Sequence, residues 1–390
     1  MERVLVVVLD GAGVGALPDA DHYGDEGSFT LGNTAAAAGG LSLPHMEKLG
    51  MGKVAGIRGI SPDVVAEGAH GKMAEQSPGK DSISGHWELM GVVLERAFPT
   101  YSNGFPAEIV GAFEEQIGRR VLWNRPASGT EIIARLGDEH AATGSPVLYT
   151  SADSVFQLAA HEDVIPTPDL YRMCGIARSL LAGEHSVARV IARPFTGSSG
   201  HYERTRGRRD FSLPPVGETL LDRLQGAGLS TWGVGKVGDL FAHRGFTRMV
   251  KAGGNDDCVA KVLDLFPGMG RGLLLVTLVD FDMLWGHRNN AGAFAAGLRD
   301  FDASLPAIRS KLGTGDVLVL TADHGCDPTT PGTDHSREYV PILVSGSGIR
   351  ADVDLGTRAS FSDLAATLAE GFGVGPLGGK SFFQEIWKGP

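Results

Sequence analysis

The chain has 390 residues, 42% hydrophobic and 21% charged. That is globular material, and more of it than one core usually holds, so two domains are expected. A formal charge of −11 and a pI near 5.5 argue against a nucleic-acid or anionic-membrane surface, while three cysteines at no metal spacing and no signal-peptide pattern point to a cytoplasmic protein without disulfides.

Residues 4–9, VLVVVL, read as a buried first strand that ends in Asp10. The glycines at 11, 13 and 15 are spaced G-x-G-x-G, not the G-x-G-x-x-G of a dinucleotide turn. An aspartate at the strand tip would also repel a pyrophosphate unless a metal stood between them. Asp10 is therefore read as a metal ligand, and the glycines as turn residues. Residues 76–91, QSPGKDSISGHWELMG, place Ser82 behind Lys80 and Asp81. A helix beginning there would aim free N–H groups at a phosphate, and the plainer reading of Ser82 is an N-cap. Ser84 is the rival hydroxyl.

From about 97 to 216 the texture changes to short helices and strands with proline-marked turns, as expected of an inserted α+β unit. Its seams are placed at Phe98-Pro99 and Leu213-Pro214-Pro215. Within it, a helix carrying Pro106 in its first turn, strands at 147–150 and 187–192 and a helix at 168–181 are expected. The basic run at 204–209, RTRGRR, is either a solvated loop or a local site for a small phosphorylated ligand. Then an α/β rhythm resumes: helix 217–224, strand 230–234, helix 256–265, strand 273–279, helix 291–309, strand 317–321, and a last helix capped by Ser362 and ending at 372. Such alternation implies a largely parallel sheet with helices on both faces. The strand at 273–279 leads to Asp282 and His287, and the strand at 317–321 to Asp323, His324 and, before the next strand, His335.

Ligands gather at the carboxyl ends of strands in such sheets. Three carboxylates and three imidazoles from three strand ends suit two divalent ions, with Mn²⁺, Zn²⁺ or Mg²⁺ favoured over soft metals. Two ions roughly 3.5–4 Å apart can hold both the attacking and the leaving oxygen of a phosphoryl transfer.

Asp10, Lys80-Asp81-Ser82, Asp282-x-x-x-x-His287, Asp323-His324-Gly325 and His335 together resemble the alkaline phosphatase superfamily. Five further strings narrow the resemblance to the phosphopentomutase family and span nearly the whole chain: Gly85-His86-Trp87-Glu88, Pro126-Ala127-Ser128-Gly129-Thr130-Glu131, Tyr149-Thr150-Ser151-Ala152-Asp153-Ser154, Gly332-Thr333-Asp334-His335 and Arg337-Glu338-Tyr339-Val340-Pro341. The resemblance implies a three-layer αβα sandwich built from residues 1–97 and 216–390, with residues 98–215 as an inserted α+β cap. It implies an isomerase that interconverts ribose 1-phosphate and ribose 5-phosphate, and the 2-deoxy forms. Two Mn²⁺ per chain are expected, one held by Asp282, His287 and His335 and the other by Asp10, Asp323 and His324, with a sugar bisphosphate as activator. Ser82 falls where the family carries its phosphorylated residue, commonly threonine. Ser151, Asp153, Arg189, Ile191 and Lys236 fall where the sugar phosphate is handled. Cys326 stands where asparagine is expected and is read as a loop residue pointing away from the metals. A small-molecule substrate is expected, with no nucleic acid, membrane or obligate protein partner. The alternatives on the same core are a metal-dependent phosphatase or phosphodiesterase and a cofactor-independent phosphoglycerate mutase.

Overall fold

The computed structural model describes residues 1–151 and 153–389. Its strands are β1 (Arg3–Leu9), β2 (Ala69–Met73), β3 (Leu122–Pro126), β4 (Val147–Thr150), β5 (Val155–His161), β6 (Arg189–Thr196), β7 (Glu203–Arg204), β8 (Arg209–Ser212), β9 (Ser230–Val234), β10 (Arg248–Val250), β11 (Gly272–Leu278), β12 (Val317–Thr321), β13 (Val340–Ser345) and β14 (Val353–Arg358). The chain divides into a larger unit, Met1–Arg96 with Pro215–Pro390, and a smaller one, Ala97–Pro214.

In the larger unit an eight-stranded sheet runs in the order β10-β9-β11-β1-β12-β13-β2-β14. Neighbours from β10 to β12 pair in parallel, and only β13 opposes the strands beside it. Helices flank this parallel-rich sheet in a three-layer α/β sandwich. Apolar runs explain the centre: Val4 to Leu9, all of β11 and all of β12 are buried, as strands covered on both faces must be. Register then decides where the chemistry lies. Leu9 stands opposite Leu278 and Val8 opposite Thr321, so β1, β11 and β12 end at one level and the loops carrying Asp10, Asp282 and Asp323 leave the sheet side by side.

The smaller unit is a second sheet, in the order β3-β4-β5-β6-β7, with β8 paired to β6. One cluster packs Phe105, Phe113, Phe156, Leu170 and Met173; another packs Ile132, Leu136, Tyr149 and Phe195.

Strands β4, β9 and β12 and the helix Ala291–Arg309 have the bounds expected from sequence. Other ends differ for identifiable reasons. Asp81, not Ser82, caps the helix Ser82–Leu89, because its carboxylate accepts from Ile83 N at 3.0 Å and Ser84 N at 3.1 Å. Pro106 is the N-cap of Ala107–Ile117 and lies outside its first turn. Thr219 and Asp222 form a capping box that starts the next helix at Leu220 rather than Gly217. Ser362 is itself helical, with Phe361 at the cap position, while Ser360 Oγ accepts from its N–H. Strand β6 begins at Arg189 rather than Val187 and continues to Thr196.

Candidate active site

The helix Ser82–Leu89 lies directly on the end of β12. A Cβ added at Gly85 would collide with the Asp323 carbonyl, so only glycine permits this approach. Ser82 is thereby set against His324, its Oγ 3.0 Å from Nε2. The Nδ1–H of His324 donates to the Gly325 carbonyl at 3.0 Å, which leaves Nε2 bare and makes the serine hydroxyl the donor. Ser84 is different. Its hydroxyl is buried, facing Glu75 Oε1 at 3.1 Å and the Asp81 carbonyl at 2.9 Å.

Asp282 sits in a π-helix, Phe281–Gly286, and His287 caps its C-terminus, the Asp282 carbonyl accepting from the N–H of His287 at 3.0 Å. Five residues close one turn of such a helix, so the two side chains share a side, and an ordinary α-turn would separate them. Carboxylate and imidazole are 3.2 Å apart, and His287 Nδ1–H is anchored on the Thr333 carbonyl at 2.6 Å. His335 arrives through the bridge between Gly325 and Ser336, which seats its ring 4.0 Å from that of His324 and its Nε2 3.2 Å from Asp282 Oδ1. His324 Nε2 in turn lies 3.4 Å from Asp10 Oδ1 and 3.3 Å from Asp323 Oδ2. The six expected ligand residues and Ser82 therefore form one constellation.

The chemistry of this donor set fits divalent ions. Asp10 Oδ1, Asp282 Oδ1, Asp323 Oδ2 and His335 Nε2 are all buried, and each lacks a hydrogen-bond partner of proper geometry despite the short distances. An unpaired buried polar atom costs about 1–3 kcal/mol, so four in one place mark an absent partner. Proton affinities agree. Burial, then the charges of Asp323 and Asp282, push Asp10 well above the usual carboxylate range. Burial works against the charge of His335, yet the neighbouring Asp282 lifts it to about 9, and the hydrogen bond to Asp282 raises His287. Asp282 itself is held well below its ordinary value, because His335 and His287 outweigh the cost of its burial. Ligand-type atoms of Asp10, Asp323 and His324 lie within 4.8 Å of one another, as do those of Asp282, His324 and His335.

Cys326 corrects the expectation made for it. Its side chain is buried and its Sγ belongs to a third such group, with Asp282 and His287, so it faces the centre rather than pointing away. Lys236 is also beside this centre, its charge felt by Asp10 and its Nζ resting 3.0 Å from Met283 Sδ.

Braces that the sequence reading passed over surround the centre. Arg337 is nearly fully buried and donates to Glu75, to the carbonyls of Glu75, Ser77 and Gly79, and to Asp19, fastening the segment ahead of Ser82. Buried Glu338 accepts from Gly15 N, from Thr30 and from Ser336 Oγ, which ties the β1 loop to the His335 loop. Lys80 spans Asp25 at 3.0 Å and Asp334 at 3.5 Å. These residues stood inside quoted strings, but a buried arginine gives no periodic signal.

In the smaller unit Ser151 and Asp153 follow β4, and the Asp153 N–H donates to Ser151 Oγ at 3.3 Å. Arg189 and Ile191 stand opposite Val155 and Gln157 in the neighbouring strand, which gathers these four residues near one end of the sheet. The basic run divides. Arg208 pairs with Asp210 through two contacts of 2.8 Å, Arg209 lies over Tyr171 and Phe211, and Arg204 packs against Gly129 and the Tyr149 hydroxyl.

A model of the metalloenzyme superfamily matches residues 2–376. A curated phosphopentomutase of Carboxydothermus hydrogenoformans is 57% identical over all of both chains, and that of Dictyoglomus thermophilum is 54% identical, again over all of both. Among solved structures, the PH0037 protein of Pyrococcus horikoshii superposes with a TM-score of 0.51 at 14% identity, over 97% of this chain and 99% of that one, a likeness of fold. Identity above one half over the whole length, on a centre of three aspartates, three histidines and a serine, leads to one conclusion: the chain belongs to the metalloenzyme superfamily and, within it, to the phosphopentomutase family of isomerases.

Proposed function

We propose that the phosphopentomutase reaction, exchange of a phosphoryl group between the 1- and 5-positions of ribose and of 2-deoxyribose, runs through phosphorylated Ser82. The carrying observation is the Ser82 hydroxyl, 3.0 Å from His324 Nε2 and set among buried donor atoms that lack partners. Asp282, His287 and His335 would hold one ion, and Asp10, Asp323 and His324 the other. Mn²⁺ is the proposed metal, since carboxylate and imidazole ligands suit it. When bound, such ions neutralise the charge of a transferring phosphoryl group and lower the proton affinity of a hydroxyl beside them.

The chain's own residues then do the following. Phosphorylated Ser82 gives its phosphoryl group to the free hydroxyl of the sugar phosphate: the new P–O bond forms as the serine P–O bond breaks, and that hydroxyl's proton ends on the Ser82 oxygen. The bisphosphate so made turns end for end, and Ser82 takes a phosphoryl group from the other position, restoring itself and releasing the isomer. Splitting the transfer this way replaces one difficult step with two easier ones. A trace of sugar bisphosphate phosphorylates the resting serine and so acts as activator.

The inserted unit is proposed as the cap, with Ser151, Asp153 and Ile191 on the sugar and Arg189 on the second phosphate, and Lys236 is proposed as a further substrate-binding residue. Guanidinium suits phosphate through its fork of donors, and a carboxylate accepts from sugar hydroxyls. No helix among the described residues is long and apolar enough to cross a membrane. Cytoplasmic location is part of the proposal, because phosphorylated sugars do not cross bilayers unaided.

The test is to incubate the protein with ribose 1-phosphate, Mn²⁺ and a trace of ribose 1,5-bisphosphate and to identify the products. Ribose 5-phosphate without free phosphate is expected. Free ribose and phosphate alone would turn the reading to a phosphatase, a function that the phosphopentomutases named above do not favour.

A further inference from the structure

His86 is buried, 1% exposed, one turn after Ser82 on the same helix. Its Nδ1 lies 2.8 Å from the Ser82 carbonyl and 3.0 Å from Asp323 Oδ2, while Nε2 lies 2.7 Å from Thr277 Oγ1 on β11. Both groups facing Nδ1 are acceptors only, so that nitrogen carries a proton. The ring is thus a peg with two hydrogen bonds, one to the backbone of the candidate nucleophile and one to the sheet, and with a carboxylate of the centre 3.0 Å away. No other described hydrogen bond links the Ser82 carbonyl to the sheet.

A serine that alternately accepts and gives up a phosphoryl group needs its oxygen held at a fixed height above the carboxylates, since a misplacement of ~1 Å can cost about 10²-fold in rate. The capping carboxylate of Asp81 fixes the N–H groups of Ile83 and Ser84. The Nδ1–H of His86 takes the Ser82 carbonyl and at the same time faces the oxygen of Asp323 that has no hydrogen-bond partner. Groups that orient ligating carboxylates from behind typically matter about 10–100-fold.

We propose that His86 is a positioning residue for phosphoryl transfer, its Nδ1–H holding the Ser82 carbonyl beside Asp323 and its Nε2 pinning the ring on Thr277. This rests on the reading of Ser82 as the phosphorylated residue. The two amide substitutions separate its attachments, because an asparagine amide nitrogen overlays the position of Nδ1 and a glutamine amide nitrogen that of Nε2.

Wild-type protein, His86→Asn and His86→Gln are compared in three measurements: kcat and KM for ribose 5-phosphate with Mn²⁺, metal content, and phosphate on the Ser82 peptide by mass spectrometry after exposure to ribose 1,5-bisphosphate. His86→Asn should stay within about threefold of wild type, while His86→Gln should lose roughly 10–100-fold in kcat at unchanged KM, with both ions kept and less phosphate on Ser82. A purely structural role would lower the melting temperature of both variants and not split them. Equal activity of the two variants, or a His86→Gln enzyme within twofold of wild type, overturns the proposal while leaving phosphoserine 82 intact. Phosphate on another residue of the wild-type protein overturns both.

Discussion

The two units of the chain treat polar side chains in opposite ways. In the larger one, Asp10, Asp323 and His324 are at most 5% exposed at the ends of adjacent strands, and one oxygen of each aspartate has no hydrogen-bond partner. In the smaller one, the arginines of the basic run are largely exposed, and Arg208 has its own aspartate. A buried charge without a partner is tolerated only when something resident completes it, whereas an exposed guanidinium can wait in water for a ligand that comes and goes. On the proposed function, the larger unit holds resident ions and the smaller one, through Asp153 and Arg189, meets a passing substrate.

The largest effect is expected from Ser82→Ala. It should abolish isomerisation, by a factor of 10³ or more on the scale of removed nucleophiles, and leave both ions bound, as metal analysis beside the activity assay would reveal. Ser84→Ala, two residues on, should retain substantial turnover but lose roughly 1–3 kcal/mol of stability, because Glu75 would be left short of a buried partner. Loss of activity in Ser84→Ala with Ser82→Ala active would reverse the assignment.

Next comes the centre itself. His335→Ala should keep one ion of two and lose most activity, since three ligands become two. Chelation of the wild-type protein should lower its melting temperature, because ions that bind only the folded centre stabilise it by mass action. An unchanged ion content in His335→Ala would remove that residue from the centre.

A gentler break is expected in the smaller unit. Asp153→Ala and Arg189→Gln should each raise KM for ribose 5-phosphate by about 10–100-fold, the worth of one charged hydrogen bond of ~1.5–3 kcal/mol. Both should also increase the share of phosphate lost to water, with metal content unchanged. Wild-type values for isomerisation and phosphate release would take these residues out of the substrate site.

The same contrast explains what could be read from sequence. Long apolar strands ending in aspartate were legible, since β1 and β12 stop where their carboxylates begin, and the helix Ala291–Arg309 announces itself by period. Polar strands were not: β2 reads AHGKM and β14 reads VDLGTR, and both are strands only because β13 and each other supply the ladder. The π-turn that aligns Asp282 with His287 could not be foreseen, because a five-residue spacing fits no ordinary helix face. Cys326 was misjudged for a related reason. A loop residue has no period to report its direction, and here the bridge from Gly325 to Ser336 turns it inward.

The smallest effect is expected from Ser82→Thr, and it tests whether position or residue type carries the chemistry. Ser82 is the first residue of its helix and only half-buried, a place where a β-branched side chain meets no preceding turn and keeps a usable χ1. Threonine brings the same oxygen on the same backbone, so the hydroxyl can still stand opposite His324, and the added methyl has only to avoid the walls around it. A change in kcat of less than about fivefold, under ~1 kcal/mol, is expected, with KM and ion content unaltered. Peptide mapping should then find phosphothreonine at position 82. A loss beyond roughly 100-fold, with phosphate still reaching the residue, would mean that the space beside the Ser82 Cβ is already needed by the turning bisphosphate.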